Sequence, residues 1–273
     1  MQALLFRFLI NDMKFLLQRN VLLDFVFAMQ KAKEWWDWWK PKENIVEFVD
    51  SGCSKDICPI GSLEFCLDYY KNLGIELKPL NVPYYLFNYS IGYGNGSIKD
   101  ANFPEWVNVL EKRASERGLD VKRLLNHDWR GGMYVKSETK FKHPGNGLYD
   151  SIQSFLDSEH YDPNDTYQVT NFDPEIADEW RYFVYEGKVV GMKCYVYEDI
   201  LAPKIPDKVW VLDKVSRIDL PAYTLDIAMS NNPEVKTPKI IEVHDFFSCG
   251  LYGFDDYNLL PYMFYRSHLR KFL

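Results

Sequence analysis

The sequence predicts an α+β fold, with a small α/β unit first and a hairpin-rich unit after it. Three observations predict it. Residues 13–82 alternate strand-like and helix-like patterns, the mark of an α/β unit. Residues 179–197 are two β-rich runs joined at Glu186-Gly187, a hairpin. The final stretch YNLLPYMFYRSHLRKFL has helical spacing, with basic residues in its last turns where a helix C-terminus favours them.

The elements follow in order. KFLLQR (14–19) alternates weakly and reads as the opening strand. Residues 21–40 carry a helix pattern ending in WWDWWK, with Pro41 as the stop. NIVEFVD (44–50) is the next strand. Ile60 to Asn72 reads as a helix, and Gly74 supplies its C-terminal stop. IELKPLNV and PYYLFNY (75–89) read as extended, which makes the first unit strand–helix–strand–helix–strand. IGYGNGSIKD (91–100) is a glycine-rich junction, and FPEWVNVLEKRASERG (103–118) has helical spacing. MYVKS (133–137) is a strand, SETKFKHPGNGLYD (137–150) a basic glycine-bearing loop, SIQSFLDSE a short helix and TYQVTNF (166–172) a strand. YTLDIAMS (223–230) and KIIEVHDF (239–246) are two more strands. The junction divides the chain into residues 13–90 and 91–273, with residues 1–12 an upstream extension that the fold does not need.

Composition excludes several classes. The chain has 273 residues, 32 Lys+Arg against 39 Asp+Glu, and 16% aromatic residues. Disordered chains are poor in aromatics, so disorder is excluded. The net charge of -7 gives no footprint for a general nucleic-acid binder. No apolar run reaches the about 20 residues a membrane helix needs, and no membrane partner is expected. Five cysteines without paired spacing argue against a disulfide framework and for a reducing cytoplasm. Trp35, Trp36, Trp38 and Trp39 read as a helix packed between lobes or against a second subunit, which admits a homo-oligomer. The competing reading is base stacking on a single strand.

Four features carry chemistry. Lys136 sits in a strand just before a loop bearing Gly145 and Gly147; an ammonium beside glycine backbone suits nucleotide phosphates. Its bland alternative is a strand-edge lysine. Arg181, in Glu179-Trp180-Arg181, offers a fork of donors for phosphate or carboxylate, or else a cross-strand ion pair. Asp226 lies among apolar strand residues. Glu242 and His244, two apart on a strand, face one side. Such carboxylates are costly if buried unless they pair or hold a cation such as Mg²⁺. The structural alternative pairs Asp226 and Glu242 with Arg181 or Arg217.

In order, these pieces are a strand lysine, a glycine loop, E-W-R-x-F with a G-K-V-V hairpin, Y-x-L-D, and I-I-E-V-H-D-F-F-S-C-G-L-Y-G. The set resembles the ATP-grasp superfamily, in a clade of bacteria and bacteriophages, across about residues 130–255. A P-x-G-S-x-E-F signature in the 57–75 region is similar, more loosely, to that clade's preceding domain. The resemblance implies two α+β lobes clasping ATP, about 98–165 covering the nucleotide and 166–273 forming the C-terminal lobe, behind a small α/β pre-ATP-grasp domain. It implies that Lys136 meets the phosphates under the 137–148 loop, and that Val169 to Glu175, with Phe172 between them, read adenine and ribose. Arg181, with Lys193 as a second candidate, would bind the transferred phosphate. Asp226 and Glu242 would hold Mg²⁺. His244 stands where the family usually has Asn, so it either accepts Mn²⁺ or bonds a phosphate. The family's earlier lysine has no obvious match; Lys112, Lys122 and Arg123 are the candidates. The implied activity is ATP-dependent ligation of a small-molecule or peptide carboxylate to an amine or thiol, through an acyl-phosphate, in the cytoplasm, or the host's cytoplasm for a phage protein. The alternative is a non-catalytic nucleotide-binding protein on the same scaffold.

Overall fold

The computed structural model describes residues 14–18, 45–47, 53–80, 98–101, 133–162, 164–165, 167–171, 176–231, 238–256 and 258–273. The expected helices at 21–40 and 103–118, the tryptophan cluster, residues 1–12, Lys112, Lys122, Arg123, Phe172 and Glu175 lie outside them.

Three sheets organise these residues. The first is parallel, in the order β2-β1-β3, from β1 (Lys14–Leu17), β2 (Ile45–Glu47) and β3 (Ile57–Ile60). Helix α1 (Leu63–Asn72) follows β3. The second sheet runs β4-β7-β5-β6, from β4 (Ile98–Ala101), β5 (Met133–Ser137), β6 (Gly147–Tyr149) and β7 (Tyr167–Asn171), with the short α2 (Ile152–Leu156) after β6. The third runs β11-β10-β8-β9 and is antiparallel throughout, from β8 (Ile176–Tyr185), β9 (Lys188–Val196), β10 (Ala222–Ser230) and β11 (Lys239–Asp245). Helix α3 (Lys208–Val215) follows β9, and α4 (Leu260–Arg270) follows β11. No helix among the described residues is long and apolar enough to cross a membrane.

The first unit differs from its expected order. Among the described residues its third strand is β3, ahead of α1, and residues 75–80 add no strand, while residues 81–89 of the expected extended segment lie outside the described residues. The apolar run Ile57–Ile60 is strand to its end, and the helix starts after it because Gly61 and Ser62 intervene. A Cβ on Gly61 would lie 2.6 Å from both Gln18 and Phe65, so only glycine fits this turn. Ser62 then caps α1, its Oγ accepting from the Phe65 N–H at 3.2 Å. Pro59 is tolerated because β3 is an edge strand among the described residues. Helix α3 and strands β4 and β6 are additions to the expected order, β4 lying at the end of the expected junction. The hairpin turn falls where expected. Glu186 and Gly187 have φ of 46° and 71°, the two positive values that a two-residue β8–β9 connection favours.

The third sheet is buried on both faces at its centre. Trp180, Tyr182 and Val184 of β8, Tyr223, Leu225 and Ile227 of β10, and Ile240 and Val243 of β11 pack one face against Val211 and Val215 of α3. On the other face Phe183, Ala222 and Phe246 join Leu260, Met263 and Phe264 of α4. That same cluster contains Phe15 of β1 with Cys58 and Ile60 of β3. Helix α4 is therefore shared by the first and third sheets.

The end of α4 is tied by polar groups as well. Asp245, at the end of β11, accepts from Lys271 at 2.7 Å, from Arg270 at 3.0 Å and from the Ser267 hydroxyl. His268, 1% exposed, bonds the Tyr70 hydroxyl of α1 through Nδ1 at 2.8 Å. Its Nε2 donates to the Lys55 carbonyl at 2.8 Å. Burial is the main reason its pKa falls from 6.5 to about 4; the Lys55 hydrogen bond opposes the fall.

A folded-state pKa below the unfolded value means that only the unfolded chain takes up the proton between those two values. Stability from neutral His268 is thus complete above about pH 6.5 and is lost as pH falls towards 4. About 2 kcal/mol should be gone by about pH 5, before most carboxylates titrate. Urea midpoints from about pH 7.5 to 5 should show this slope, and His268→Gln should flatten it.

Candidate active site

The third sheet carries a row of charges across all four strands. Lys193 of β9 is opposite Arg181 of β8, Arg181 is opposite Asp226 of β10, and Asp226 is opposite Glu242 of β11. Residues opposite one another share a face of the sheet. The row therefore runs Lys193, Arg181, Asp226, Glu242, on the face away from α3.

A β-bulge makes this row possible. Asp226 pairs with Glu242 while Ile227 pairs with Ile240, so Ile241 is an extra residue on β11. Strict alternation would put Ile240 beside Glu242. The bulge lets both Ile240 and Val243 enter the α3 core, leaving Glu242 and His244 on the charged face.

At the centre of the row the Arg181 fork closes on Asp226. Nε donates to one carboxylate oxygen at 2.8 Å and Nη2 to the other at 2.6 Å. The two side chains are only 7% and 4% exposed. Nη1 donates to the Gly250 carbonyl at 2.9 Å, and the Tyr195 hydroxyl donates to Asp226 at 3.3 Å. The Tyr252 ring lies 4.8 Å from the guanidinium and stacks on Tyr195 at 4.6 Å. Burial alone would pull the Arg181 pKa down; Asp226 more than reverses this, so the guanidinium stays charged.

At one end of the row the second sheet meets the third. Lys136 of β5 reaches across and pairs with Glu242, their side chains 23% and 30% exposed. Burial raises the Glu242 pKa, but Lys136 and His244 bring it below the usual carboxylate value. His244 points its Nδ1 at the Asp245 carbonyl at 2.6 Å, which makes Nδ1 the donor and leaves Nε2 with its lone pair. Burial holds its pKa below 6.5, against the pull of Glu242. At the other end Lys193 lies 3.8 Å from Asp255.

A cavity of about 210 Å³ opens at the Lys136–Glu242 end. The first unit contributes Leu63, and Pro79 and Leu80 follow from the segment after α1. The loop after β5 contributes Lys140, Phe141, Lys142 and Asn146, and β11 contributes Glu242 and His244. Small-molecule sites usually offer about 300–1,000 Å³. This cleft is smaller than that, and the paired Lys136 and Glu242 are both part of its lining.

The sequence-predicted residues are thus partly assembled. Lys136, Glu242 and His244 share the cavity; Asp226 and Arg181 are paired behind it; Lys193 is at the far edge. Gly145 is buried beneath His143, to whose Nδ1 its N–H donates at 3.0 Å. Gly147 lies in β6 opposite Val135. Val169 belongs to β7, opposite Val135 and Ile98. Sequence reasoning did not find Leu63, Pro79 and Leu80, which reach the cleft only through the packing of separate units.

No three His, Cys, Asp or Glu side chains converge at metal-ligating distance among the described residues. Asp226 has given both oxygens to Arg181, while Glu242 and His244 line the cavity. Mg²⁺ that arrives with phosphates relies on one or two protein carboxylates, so Glu242 suits a nucleotide-borne cation.

Residues 73–261, more than half of the chain, match the model of an ATP-grasp domain, family 3 of its clade. No curated protein sequence matches. Three solved structures are similar to this chain. The RimK domain protein ATP-grasp from Sphaerobacter thermophilus DSM 20745 is 10% identical, with 95% of this chain and 98% of that chain covered, at a TM-score of 0.43. D-alanine–D-alanine ligase from Bacillus anthracis, complexed with ATP, is 10% identical, with 94% and 98% covered, at 0.42. Macrocyclase MdnC from Microcystis aeruginosa MRC, bound with precursor peptide MdnA, is 11% identical, with 84% and 90% covered, at 0.41.

Removing Asp226 would leave a buried guanidinium without its counter-charge. Asp226→Ala should therefore cost about 3–5 kcal/mol in urea unfolding. Glu242→Gln, at a more exposed pair, should cost no more than about 1 kcal/mol.

Proposed function

Because the chain belongs to this ATP-grasp domain family, we propose that it is an ATP-dependent ligase that joins a carboxylate to an amine, or to a thiol. The observation that carries this reading is the charge row from Lys193 to Glu242, with Lys136 brought against its end from another sheet. The reaction begins when the substrate carboxylate attacks the γ-phosphorus of ATP and ADP leaves. The acyl-phosphate then takes the amine at its carbonyl carbon, and inorganic phosphate departs. Positioning and charge neutralisation account for most of such a phosphoryl transfer.

The chain's residues divide this work. Lys136 gives up Glu242 and takes phosphate oxygens. Glu242, freed, would hold the cation that accompanies the phosphates, with the His244 Nε2 lone pair beside it. Mg²⁺, or Mn²⁺, supplies charge neutralisation at the phosphates when bound. Arg181, fixed by Asp226, sets a permanent positive charge on the row for the transferred phosphoryl group, and Lys193 adds a second at its accessible end. The loop bearing Gly145 and Gly147 covers the phosphates. The segment that runs from Val169 of β7 to Glu175, with Phe172 between them, receives adenine and ribose. The substrates are small molecules or peptides, the apolar wall of Leu63, Pro79 and Leu80 facing them.

One observation favours a second reading, a nucleotide-binding protein without turnover: both oxygens of Asp226 are held by Arg181. ADP release, measured over pools of amino acids and peptides with ATP and Mg²⁺ or Mn²⁺, separates the two. The ligase reading expects substrate-dependent ADP that Glu242→Gln and Asp226→Asn abolish. Unimpaired product in Glu242→Gln would remove the cation assignment, and unimpaired product in Asp226→Asn would remove the role given to the Arg181–Asp226 pair. Nucleotide binding with no ADP from any pool would favour the second reading.

A further inference from the structure

The loop between β5 and β6 supplies Lys140, Phe141, Lys142 and Asn146 to the cavity wall. Its shape is set from behind by a carboxylate that lies outside that wall. Asp165, 4% exposed, accepts from the Ser137 hydroxyl at 2.7 Å and, with its other oxygen, from the Thr139 hydroxyl. Ser137 is fully buried. Its Oγ accepts the backbone N–H of Lys140 at 3.0 Å and that of Thr139 at 3.3 Å. The Ser137 N–H donates to the Asn146 side-chain oxygen at 2.7 Å, which ties the far end of the loop to its start.

The order of these bonds is forced. A serine hydroxyl has one proton, and an ionised carboxylate can only accept. Asp165 claims the proton, so the Oγ lone pairs turn towards the two loop amides. Lys136 precedes Ser137, and alternation along β5 sends Ser137 inward and Lys136 towards the cleft. Asp165 is itself held in its turn by its N–H to the Asp162 carbonyl at 3.0 Å, while the Asp162 N–H donates to the Tyr167 hydroxyl at 3.0 Å. Asp162 also pairs with Lys140 at 2.9 Å. A buried carboxylate is costly without such partners, and these partners belong to the covering loop and its anchor.

We propose that Asp165 is a positioning residue: through Ser137 and Thr139 it holds loop 138–146 in the form that receives nucleotide phosphates. The inference rests on the ATP-binding reading above.

The test uses the full chain and AMP-PNP with Mg²⁺. Asp165→Asn keeps the shape but can turn an N–H₂ towards Ser137, which reverses the hydroxyl and sets its proton against the loop amides. The dissociation constant should rise about tenfold, the equivalent of one hydrogen bond to a charged group. Under ligase conditions KM for ATP should rise similarly, with kcat changed less than about threefold. Ser137→Ala should act in the same direction, and the double variant should be no worse than the stronger single one. Thr139→Ser should retain affinity where Thr139→Val loses it. Without ligand, hydrogen exchange at the Thr139 and Lys140 amides should quicken in Asp165→Asn. Wild-type affinity in Asp165→Asn and Ser137→Ala, with loss of unfolding stability alone, would overturn the positioning role and leave the ATP reading intact. Failure of the wild-type chain to bind AMP-PNP would overturn the ATP reading, and the positioning role with it. If Asp165→Asn does not fold, Ser137→Ala and Thr139→Val decide the question.

Discussion

A carboxylate in the middle of a strand that is buried on both faces must be paired, and Asp226 meets that demand with Arg181. Strand β10 lies between β8 and β11 and has core on both sides. An isolated charge there would cost several kcal/mol, and an arginine fork on the opposite residue is the geometry that offsets it best. The pairing fixes the register of β8 against β10 at that point, since a one-residue slip would send Arg181 to the α3 face. Everything else on the row is arranged around it: Lys193 beyond Arg181, and Glu242 beyond Asp226. The pair also divides the labour between the two carboxylates. One is closed and structural in its contacts, while the other remains within reach of a cavity.

A second constraint links the units. Among the described residues the parallel sheet shares its core with Leu260, Met263 and Phe264 of α4. The same helix, through Asp245, holds the end of the strand that carries Glu242 and His244. The position of the first unit, and with it Leu63 on the cavity wall, is thereby coupled to the strand that carries Glu242 and His244. The loop after β5 leans on this joint as well, Phe141 meeting Phe247 edge to face at 6.0 Å.

The second half of the chain is legible in the sequence because its signals are local. Alternation in Ala222–Ser230, the Glu186-Gly187 turn and the basic end of α4 are each decided by a few adjacent residues. The charged positions Lys136, Arg181, Asp226 and Glu242 stand out because they interrupt apolar strand patterns. What is not legible depends on partners distant in the chain. The bulge at Ile241 reads as plain strand until the α3 core claims Ile240 and Val243. That Arg181 pairs with Asp226 is one of two open readings, and only register decides it. Strand β3 is hidden because Pro59 argues against a strand unless the strand is known to be an edge. Ser137 and Thr139, two apart at a strand end, carry the only signal of the loop anchor, and nothing nearby points to Asp165.

The shared helix also bears on the history of each molecule. Phe15, Cys58 and Ile60 are made early, while Met263 and Phe264, which cover them, are made about 200–250 residues later. At roughly 5–20 residues per second, the parallel sheet waits on the order of ten to fifty seconds for its α4 partners. The contact between the parallel sheet and α4 therefore forms only after α4 is made.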